Sequence, residues 1–177
     1  ASPTIQNCTI RHSDGYGIYC DNQSAPTLTN NTISNNSVYP ISLYCGILDS
    51  NVTGNTGSGN GTNAIQVRDG GITASRTWVP QDFYFNVTGG AIHVYNAATL
   101  TINPGCLVKF NAGGALYIGY YSAAILNAVG TSGNPITFTS NASTPAPADW
   151  HGIVFFNSTD DASTIMDYCT VEYGGYD

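Results

Sequence analysis

The first 45 residues contain one segment written twice. Residues 2–10 read Ser-Pro-Thr-Ile-Gln-Asn-Cys-Thr-Ile, and residues 25–33 read Ala-Pro-Thr-Leu-Thr-Asn-Asn-Thr-Ile, a shift of 23 positions. The same shift relates Ile18 to Ile41 and Cys20 to Leu43, and a weaker copy occupies residues 163–171. A period in the low twenties with short apolar strands in each copy is typical of a solenoid. We therefore predict an all-β, single-stranded parallel β-helix of about seven or eight coils of roughly 22–25 residues each.

Alternation of apolar and polar residues along the strands predicts which side chains face the core. In the first two coils the inward set is Cys8, Ile10, Ile18, Cys20, Ile33, Ile41 and Leu43, and the outward set is Thr9, Arg11 and Tyr19. Asn31 occurs where Cys8 stood, so it is predicted to turn inward at a bend and to bond backbone groups. The Asn pairs at 30–31 and 35–36, together with Gly15 and Gly17, tolerate the positive φ of tight bends.

The rest of the chain continues the strand-and-turn pattern with different sequence motifs. Residues 46–71 are less regular, and from residue 72 short alternating strands follow one another between Gly, Asn and Pro turn signals. The predicted inward set there is Ile92, Val94, Leu100, Ile102, Cys106, Val108, Phe110, Leu116, Ile118, Ile136, Phe138, Ile153 and Phe155. We predict one domain over residues 1–177, with Asn-rich coils in 1–71, a second module in 72–177, and an excursion near 140–150.

Two groups of motifs resemble known proteins. The Pro-Thr-Ile-x-Asn-x-Thr-Ile and Asn-Asn-Thr-Ile-x-Asn-Asn patterns of residues 3–37 resemble the parallel β-helix repeat of NosD-type surface proteins. The second half is similar to a module of large secreted bacterial and archaeal proteins, with its landmarks at Trp78, 98–105, 134–140, 150–153 and 169–175. The resemblance implies a right-handed parallel β-helix and says little about activity. In such proteins the Tyr-Gly-Gly coil leads into coils like the first two, so the chain is expected to be a piece of a longer or repeating pattern, with a complete subunit as the alternative.

Charge excludes several kinds of partner. Only 8% of residues are charged, the net charge is −7, and the permanent cations are Arg11, Arg68, Arg76 and Lys109. Binding to nucleic acid needs clustered Lys and Arg, so we expect no nucleic-acid partner. The sequence has no apolar run long enough to span a bilayer and no recognisable signal peptide, so we expect no membrane insertion. Abundant neutral polar residues with 12 Tyr indicate a folded chain.

Sequons and cysteines favour an extracellular or cell-surface location. Nine Asn-x-Ser/Thr triplets occur, at Asn7, Asn22, Asn30, Asn35, Asn51, Asn60, Asn86, Asn141 and Asn157. Because residues 7 and 30 lie inside the repeats, the glycosylation candidates are Asn22, Asn35, Asn51, Asn60, Asn86, Asn141 and Asn157; a role of Asn-x-Thr in solenoid bends is the alternative. Five Cys allow at most two internal bridges, with Cys8, Cys20, Cys45 and Cys169 as the candidates for bridges or assembly.

Candidate catalytic and metal-binding residues are few and scattered. A lyase or hydrolase would need clustered carboxylates in a groove, and the candidates are Asp149, Asp160, Asp161, Asp167 and Glu172, with Arg11 as a base. The three His, at 12, 93 and 151, lack zinc spacing. NosD-type proteins are linked to copper, but one Met and scattered Cys do not make a copper site, so we expect no catalytic residues, metal or cofactor.

Two outward-facing patterns suggest binding surfaces. Thr-x-Thr at 27–29, 99–101 and 137–139 raises ice binding as a remote alternative, although ordinary strand packing explains the same residues. Outward Tyr19, Tyr117, Tyr120 and Tyr121 are suited to stacking on sugars or on a neighbouring subunit, or are ordinary surface residues.

The leading functional hypothesis is structural. Cys169 and Val171 in the last copy align with Cys8 and Ile10 in the first, so copies of the chain are expected to stack end to end into a filament, sheath or surface layer, with Cys8 and Cys169 within disulfide range. We therefore predict a non-enzymatic extracellular building block whose partner is itself or surface glycans. A carbohydrate-binding or carbohydrate-active β-helix is the alternative.

Overall fold

The computed structural model describes residues 1–175, and its regular structure is almost entirely parallel β-strand. Within the described region the remaining regular element is one 3₁₀ helix, Cys45–Ile47. The strands of the first three coils are β1 Thr4–Gln6, β2 Thr9–Arg11, β3 Ile18–Tyr19, β4 Thr27–Thr29, β5 Thr32–Ser34, β6 Ile41–Tyr44, β7 Val52–Thr53 and β8 Ala64–Ile72. The later strands are β9 Arg76–Trp78, β10 Tyr84–Val94, β11 Ala98–Ile102, β12 Leu107–Phe110, β13 Ala115–Ile118, β14 Ala124–Val129, β15 Ile136–Ser140, β16 Gly152–Phe155, β17 Ile165–Asp167 and β18 Cys169–Val171.

Strands of successive coils stack into sheets along the solenoid. The longest stack, here the long sheet, runs β3-β6-β8-β10-β12-β15-β18. Strands β8 and β10 each extend around a corner of the coil. Gly70 (φ 133°) in β8 and Gly89 (φ 99°) in β10 provide the bends. Their second halves pair with each other, and the second half of β10 continues through β13 to β16, which forms a separate side of the coil. Smaller sheets, β1-β4-β7, β9-β11-β14-β17 and β2-β5, complete the wall.

The fold class is confirmed, but the predicted number of coils is too high. Five of the seven strands of the long sheet have a neighbour on both sides, so about five turns are fully stacked. The early turns keep the predicted length, with Ile18 paired with Ile41. The later turns are longer, because Val108 pairs with Phe138, 30 positions on, and Phe138 with Val171, 33 positions on. Surface loops absorb the extra residues, and residues 142–148 of one such loop are exposed.

The inward set predicted from alternation forms one continuous core. Ile33, Ile41, Leu43, Val108, Phe110, Ile136 and Phe138 are all buried, and Trp78, Trp150, Phe83 and Phe85 add large aromatic side chains. Phe110 and Trp150 stack with ring centroids 4.1 Å apart and planes within 5°. Tyr19, predicted to face water, is 57% exposed.

At both ends of the described solenoid, residues that were predicted to be buried are partly or fully exposed. Cys8 is exposed and Ile10 half-buried in the first coil, while Ile153 is half-buried and Phe155 is 46% exposed near the last. These four positions were predicted to lie in the core. Strand β2 pairs on one side only, with β5, and β16 pairs only with β13. A side chain that faces inward on a terminal coil therefore has no second coil to cover it.

Two columns of asparagine hold the bends of the first three coils. Asn31 is buried and accepts the Cys8 N–H at Oδ1 (3.0 Å), while its Nδ2 donates to Asn55 Oδ1 (2.9 Å). Asn36 repeats the arrangement, accepting from Ser13 N (3.0 Å) and donating to Asn60 Oδ1 (2.9 Å). The inward turn of Asn31 is thus confirmed, and buried backbone groups find their partners in these amides.

The residues before the buried asparagines supply the bends themselves. Asn30 and Asn35 have φ of 55° and 56°, and the next coil places Gly54 (φ 66°) and Gly59 (φ 72°) beneath them. The prediction of positive φ is wrong for Gly15 and Gly17, and Gly17 is required for close approach of neighbouring coils instead. A Cβ there would lie 2.5 Å from Ile33 Cγ2.

Candidate functional site

Six aromatic side chains form a continuous patch on the outside of the solenoid. This aromatic surface consists of His93, Tyr95, Tyr117, Tyr120, Tyr121 and Phe156. His93 lies at its centre, with ring centroids 5.2 Å from Tyr117, 5.4 Å from Tyr120 and 5.3 Å from Tyr121. Tyr120 and Tyr121 are 49% and 63% exposed. The other four rings are half-buried, so the exposed area of this candidate site is mainly that of Tyr120 and Tyr121.

The stacking of coils brings the aromatic surface together. His93 in β10 pairs with Tyr117 in β13, and outward neighbours on adjacent strands lie close enough for their rings to touch. Gly119 (φ 79°) then turns the chain so that Tyr120 and Tyr121 project beside them. The turn is held because Gly119 N donates to Val94 O (3.0 Å) and the Ser158 hydroxyl donates to Gly119 O.

The edges of the patch are fixed by two further contacts. The ring centroid of Phe156 lies 4.8 Å from that of Tyr120 and 5.4 Å from that of Tyr117. The Tyr117 hydroxyl lies 3.2 Å from His151 Nδ1. A surface braced in this way presents ring faces that are already oriented, which lowers the entropy lost on binding.

A concavity of about 290 Å³ adjoins the aromatic surface, and it is lined by Asp69, Gly70, Gly71, Ala91, His93, Tyr95 and Tyr121. The two glycines let aromatic rings lie directly on the backbone. A Cβ on Gly71 would be 2.8 Å from Tyr95 Cε1, and one on Gly70 would be 2.3 Å from Tyr44 Cε2. The Tyr44 hydroxyl accepts the Gly71 N–H (2.7 Å). The concavity therefore has a glycine floor, aromatic walls and one carboxylate.

Tyr19 does not join the aromatic surface. It lies on the long sheet, where the Arg68 guanidinium sits 4.4 Å from its ring centroid. Arg68 also donates to Ser42 Oγ (2.7 Å) and Cys20 O (2.6 Å). The polar groups of this face are mostly bonded to one another, which leaves fewer free groups for a ligand.

The carboxylates considered as candidates for a lyase or hydrolase site, where no catalytic residue was predicted, bond mainly to nearby hydroxyl and backbone groups. Asp149 accepts the Ser140 hydroxyl (2.6 Å) and Ala146 N–H (2.9 Å), and these hydrogen bonds hold its pKa below the usual value. Glu172 accepts Thr139 Oγ1 (2.9 Å). Asp160 and Asp167 cap turns through Ser163 and Tyr168, and Asp161 lies in an exposed turn. Arg11 lies in β2, in the first coil.

The described side chains do not form a cluster suited to a metal ion. Within residues 1–175, no three His, Cys, Asp or Glu side chains are close enough to hold a metal ion together. A cleft of about 430 Å³ lies beside Asn111, Asn141 and Asp149, but Asn141 Nδ2 already donates to Asn111 Oδ1 (2.9 Å). The polar groups of this cleft brace the loop over residues 141–149.

The three Thr-x-Thr segments lie on three different sheets. Residues 27–29 belong to β4, residues 99–101 to β11 and residues 137–139 to β15. A flat ice-binding face requires such pairs in register on successive coils. These three segments do not form one.

All five cysteines are free thiols in the structure, and a role of Cys8, Cys20, Cys45 and Cys169 in bridges or assembly stays a prediction. Cys20, Cys45 and Cys106 are buried, and burial raises the pKa of Cys45 and of Cys106 to about 12. The predicted alignment of Cys169 in the last coil with Cys8 in the first coil is wrong. Cys8 precedes β2, which pairs with β5, whereas Cys169 begins β18 of the long sheet.

Accessibility divides the sequons. Asn22, Asn35 and Asn157 are exposed. Asn86 is fully buried and its Nδ2 donates to Tyr39 Oη (2.9 Å), and Asn60 is buried in the second asparagine column. The two buried sequons are corrections to the candidate set, because a glycan on either amide would break a buried hydrogen bond. Asn51 and Asn141 are half-buried with bonded amides, and Asn7 and Asn30 are exposed.

Sequence reasoning found part of the aromatic surface. Tyr117, Tyr120 and Tyr121 were predicted to face outward, but His93, Tyr95 and Phe156 were not joined to them. The available signal was the 24-residue offset from His93 to Tyr117, which is close to the repeat. The sequence pattern gave no indication that Asp69 belongs to this site. Asp69 lies near Tyr95 because β8 bends at Gly70.

The described residues contain no helix long and apolar enough to cross a membrane.

Comparison with known families agrees with the fold. The model described as a right-handed β-helix region matches residues 1–78, and the model described as a pectate-lyase-like β-helix domain matches residues 70–177. Neither a curated protein nor a solved structure matches the chain. Because the second of these family matches covers more than half of the sequence, the chain belongs to the pectate-lyase-like β-helix domain family.

Proposed function

We propose that the protein is a non-catalytic carbohydrate-binding β-helix module that works outside the cell or at its surface, with the aromatic surface as its binding site. The observation that carries the proposal is the exposure of Tyr120 and Tyr121 within one braced cluster around His93. The C–H faces of a sugar ring are apolar and its hydroxyls are polar. Tyrosine offers a flat apolar ring with a hydroxyl at its tip, which complements both.

The shape of the site also suits a polysaccharide. The ring centroids of Tyr95 and Tyr121 lie 5.1 Å apart, and the aromatic surface continues through Tyr120 to Phe156. Several aromatic rings therefore lie along one side of the solenoid. The neighbouring concavity adds polar groups that distinguish one sugar from another. A repeating polymer is well served by such a series of adjacent contacts.

Binding without cleavage is favoured by the state of the carboxylates. General acid–base cleavage of a glycosidic bond requires two carboxyl groups on either side of that bond, within about 10 Å of each other. Asp149 and Glu172 each accept a hydrogen bond from a hydroxyl group of β15, Asp149 from Ser140 and Glu172 from Thr139. Asp69, the carboxylate that lines the concavity beside the aromatic surface, has no second carboxylate among the lining residues.

The proposal is tested by screening the chain on immobilised neutral, acidic and amino polysaccharides and then titrating the oligosaccharide that binds best. Tyr121→Ala and Tyr120→Ala should each weaken binding by about threefold to tenfold, the range for one lost aromatic contact. Tyr19→Ala is the matched control, since Tyr19 is equally exposed but lies on the long sheet. Binding that is unaffected by both variants, or equally affected by the control, contradicts the proposed site.

A second function, as a stacking building block, is favoured by the open edges of the long sheet. Among the described residues, β18 pairs with β15 alone and β3 with β6 alone, and Val171 of β18 is 48% exposed. Val171 lies in the same column as Ile18, through Phe138, Val108, Phe85, Ile65 and Ile41. We propose that β18 of one copy pairs with β3 of the next, which would continue the sheet as a fibre.

Sedimentation and electron microscopy over a range of concentrations test this stacking. We expect growing linear particles, and Val171→Lys should abolish them because it places a charge in the joined column. Thr170→Lys is the control, since Thr170 is outward on the same strand. Particles that stay single at high concentration rule the stacking out.

A further inference from the structure

We propose that the concavity beside the aromatic surface selects glycans that carry protonated amino groups, so that the ligand is an amino-sugar polymer. This inference rests on the proposed carbohydrate-binding function and names the class of sugar. It is carried by the Asp69 carboxylate, by the rings that surround it, and by the absence of a cation paired with it in the described chain.

Asp69 is an exposed carboxylate held at the corner of β8. It precedes Gly70, whose φ of 133° bends the strand, and it lies against the corner of β10. A Cβ on Gly89 would be 2.4 Å from Asp69 Oδ1, so the carboxylate rests on glycine backbone. Among residues 1–175, no side chain forms an ion pair or hydrogen bond with it. Its oxygens are available to a ligand.

The nearest cations in sequence are engaged elsewhere. Arg68 faces the long sheet, where it bonds Ser42 and Cys20 and covers the ring of Tyr19. Arg76 donates to Gly46 O (2.7 Å) and pairs with Asp49 (3.5 Å). Because the chain also carries a net charge of −7, the concavity attracts cations and disfavours acidic sugars.

Aromatic rings complete a site for an ammonium group. His93, Tyr95 and Tyr121 line the same concavity as Asp69. A cation near the face of a tyrosine is attracted by the negative face of its ring, and this attraction adds to that of a carboxylate. The glycines let the Tyr95 ring and the Asp69 carboxylate lie close against the backbone, which fixes where both face the concavity. A sugar that stacks on Tyr121 would thus place an amino substituent between the rings and Asp69.

A neutral sugar lacks this second interaction. An N-acetylated amino sugar can stack on the same rings, but its amide carries no charge to pair with Asp69. The structure therefore separates two contributions, stacking on Tyr121 and charge pairing with Asp69. Each contribution is removed by a different substitution.

The test is titration calorimetry of the whole chain with β-1,4-linked glucosamine oligomers and with the fully N-acetylated oligomers of equal length, at a pH where the sugar amines are protonated. We expect the free chain to prefer the amino oligomer by about twofold to fivefold, the scale of one solvent-exposed charge pair. Asp69→Asn should abolish the preference and leave affinity for the N-acetylated oligomer unchanged. Added salt should weaken only the amino oligomer.

Asp14→Asn is the matched control, because Asp14 is an exposed carboxylate in the first coil and its loss changes the net charge equally. Equal affinity for the two oligomers, or equal losses in the Asp69 and Asp14 variants, overturns the inference. If the N-acetylated oligomer binds and depends on Tyr121 in that case, the proposed carbohydrate-binding function survives. If neither oligomer nor any other glycan binds, both fail.

Discussion

At the scale of single residues, the bends of the first three coils depend on buried amides. Asn55 is fully buried and accepts two hydrogen bonds from Asn31, one from its N–H (3.2 Å) and one from Nδ2 (2.9 Å). It donates in turn to Leu28 O (2.9 Å) and reaches Gln81 in the next coil (3.3 Å). One side chain thus satisfies polar groups of three successive coils, which makes the column sensitive to loss of any member.

Asn55→Ala should lower the free energy of unfolding by about 1–3 kcal/mol, because it leaves the Asn31 donors and the Leu28 carbonyl buried without partners. Urea denaturation measures the change. Asn30→Gly is the control, since Asn30 is exposed, has a φ of 55° and corresponds to Gly54 in the next coil. It should alter stability by less than about 0.5 kcal/mol. Equal effects of the two changes would show that the column is not the source of stability.

The thiols differ in reactivity because they differ in burial. Burial raises the pKa of Cys45 and Cys106 to about 12, so both stay protonated and unreactive in the folded chain at about pH 8, whereas Cys8 is exposed and accessible to a thiol reagent. Mass-resolved alkylation should label Cys8 first, and Cys8→Ser should remove the fast phase. Labelling of Cys45 at the rate of Cys8 would contradict the structure.

The same raised pKa values give a pH dependence of stability with a definite sign. The unfolded thiols ionise near pH 8.5, whereas the folded thiols hold their protons up to about pH 12. Unfolding therefore releases protons in this window, and the contribution of both thiols is complete below about pH 8.5 and is lost as the pH rises.

At the scale of elements, the second half of the chain is held by aromatic packing between coils. Trp150 is fully buried, stacks on Phe110 of the neighbouring coil, and donates its Nε1–H to Glu172 O (2.9 Å) in the following one. It joins β12, the loop over residues 141–149 and β18. This contact fixes the coil that carries the long loop.

Trp150→Ala should lower the free energy of unfolding by about 3–5 kcal/mol, since it removes a large buried side chain and leaves a cavity between coils. Thermal and urea denaturation both measure the loss. Phe155→Ala is the matched aromatic control on β16, and it should change stability by only about 0.5 kcal/mol, because the Phe155 side chain is 46% exposed. A large effect at Phe155 would mean that a further coil covers β16.

At the scale of the whole molecule, strand alternation was sufficient to predict the fold and most of the core. A side chain at a position such as Val108 or Ile41 faces inward in every coil, so a period of two along the strand fixes its burial. The same rule fails for Cys8 and Phe155, because burial there depends on a neighbouring coil rather than on the strand itself. The coil count failed because loops lengthen the last two turns.

The candidate site was harder to predict, because it depends on the register between coils of unequal length. Tyr117 pairs with His93 at an offset of 24, but with Val154 at an offset of 37. The loop over residues 141–149 lengthens this coil beyond the usual repeat. The repeat length therefore does not predict that Phe156 lies next to Tyr120. Asp69 reaches the site through a glycine bend inside β8, which the sequence pattern assigned to an irregular segment.

The central claim is that ligand binds on the side of the solenoid formed by the second halves of β8 and β10 with β13 and β16. The most direct measurement is the change in backbone amide NMR shifts during titration with a binding oligosaccharide. The account predicts changes confined to residues 69–71, 91–95, 117–121 and 151–156, with none in the first coil. Shifts centred on the long sheet, or no shifts with any glycan, would contradict it.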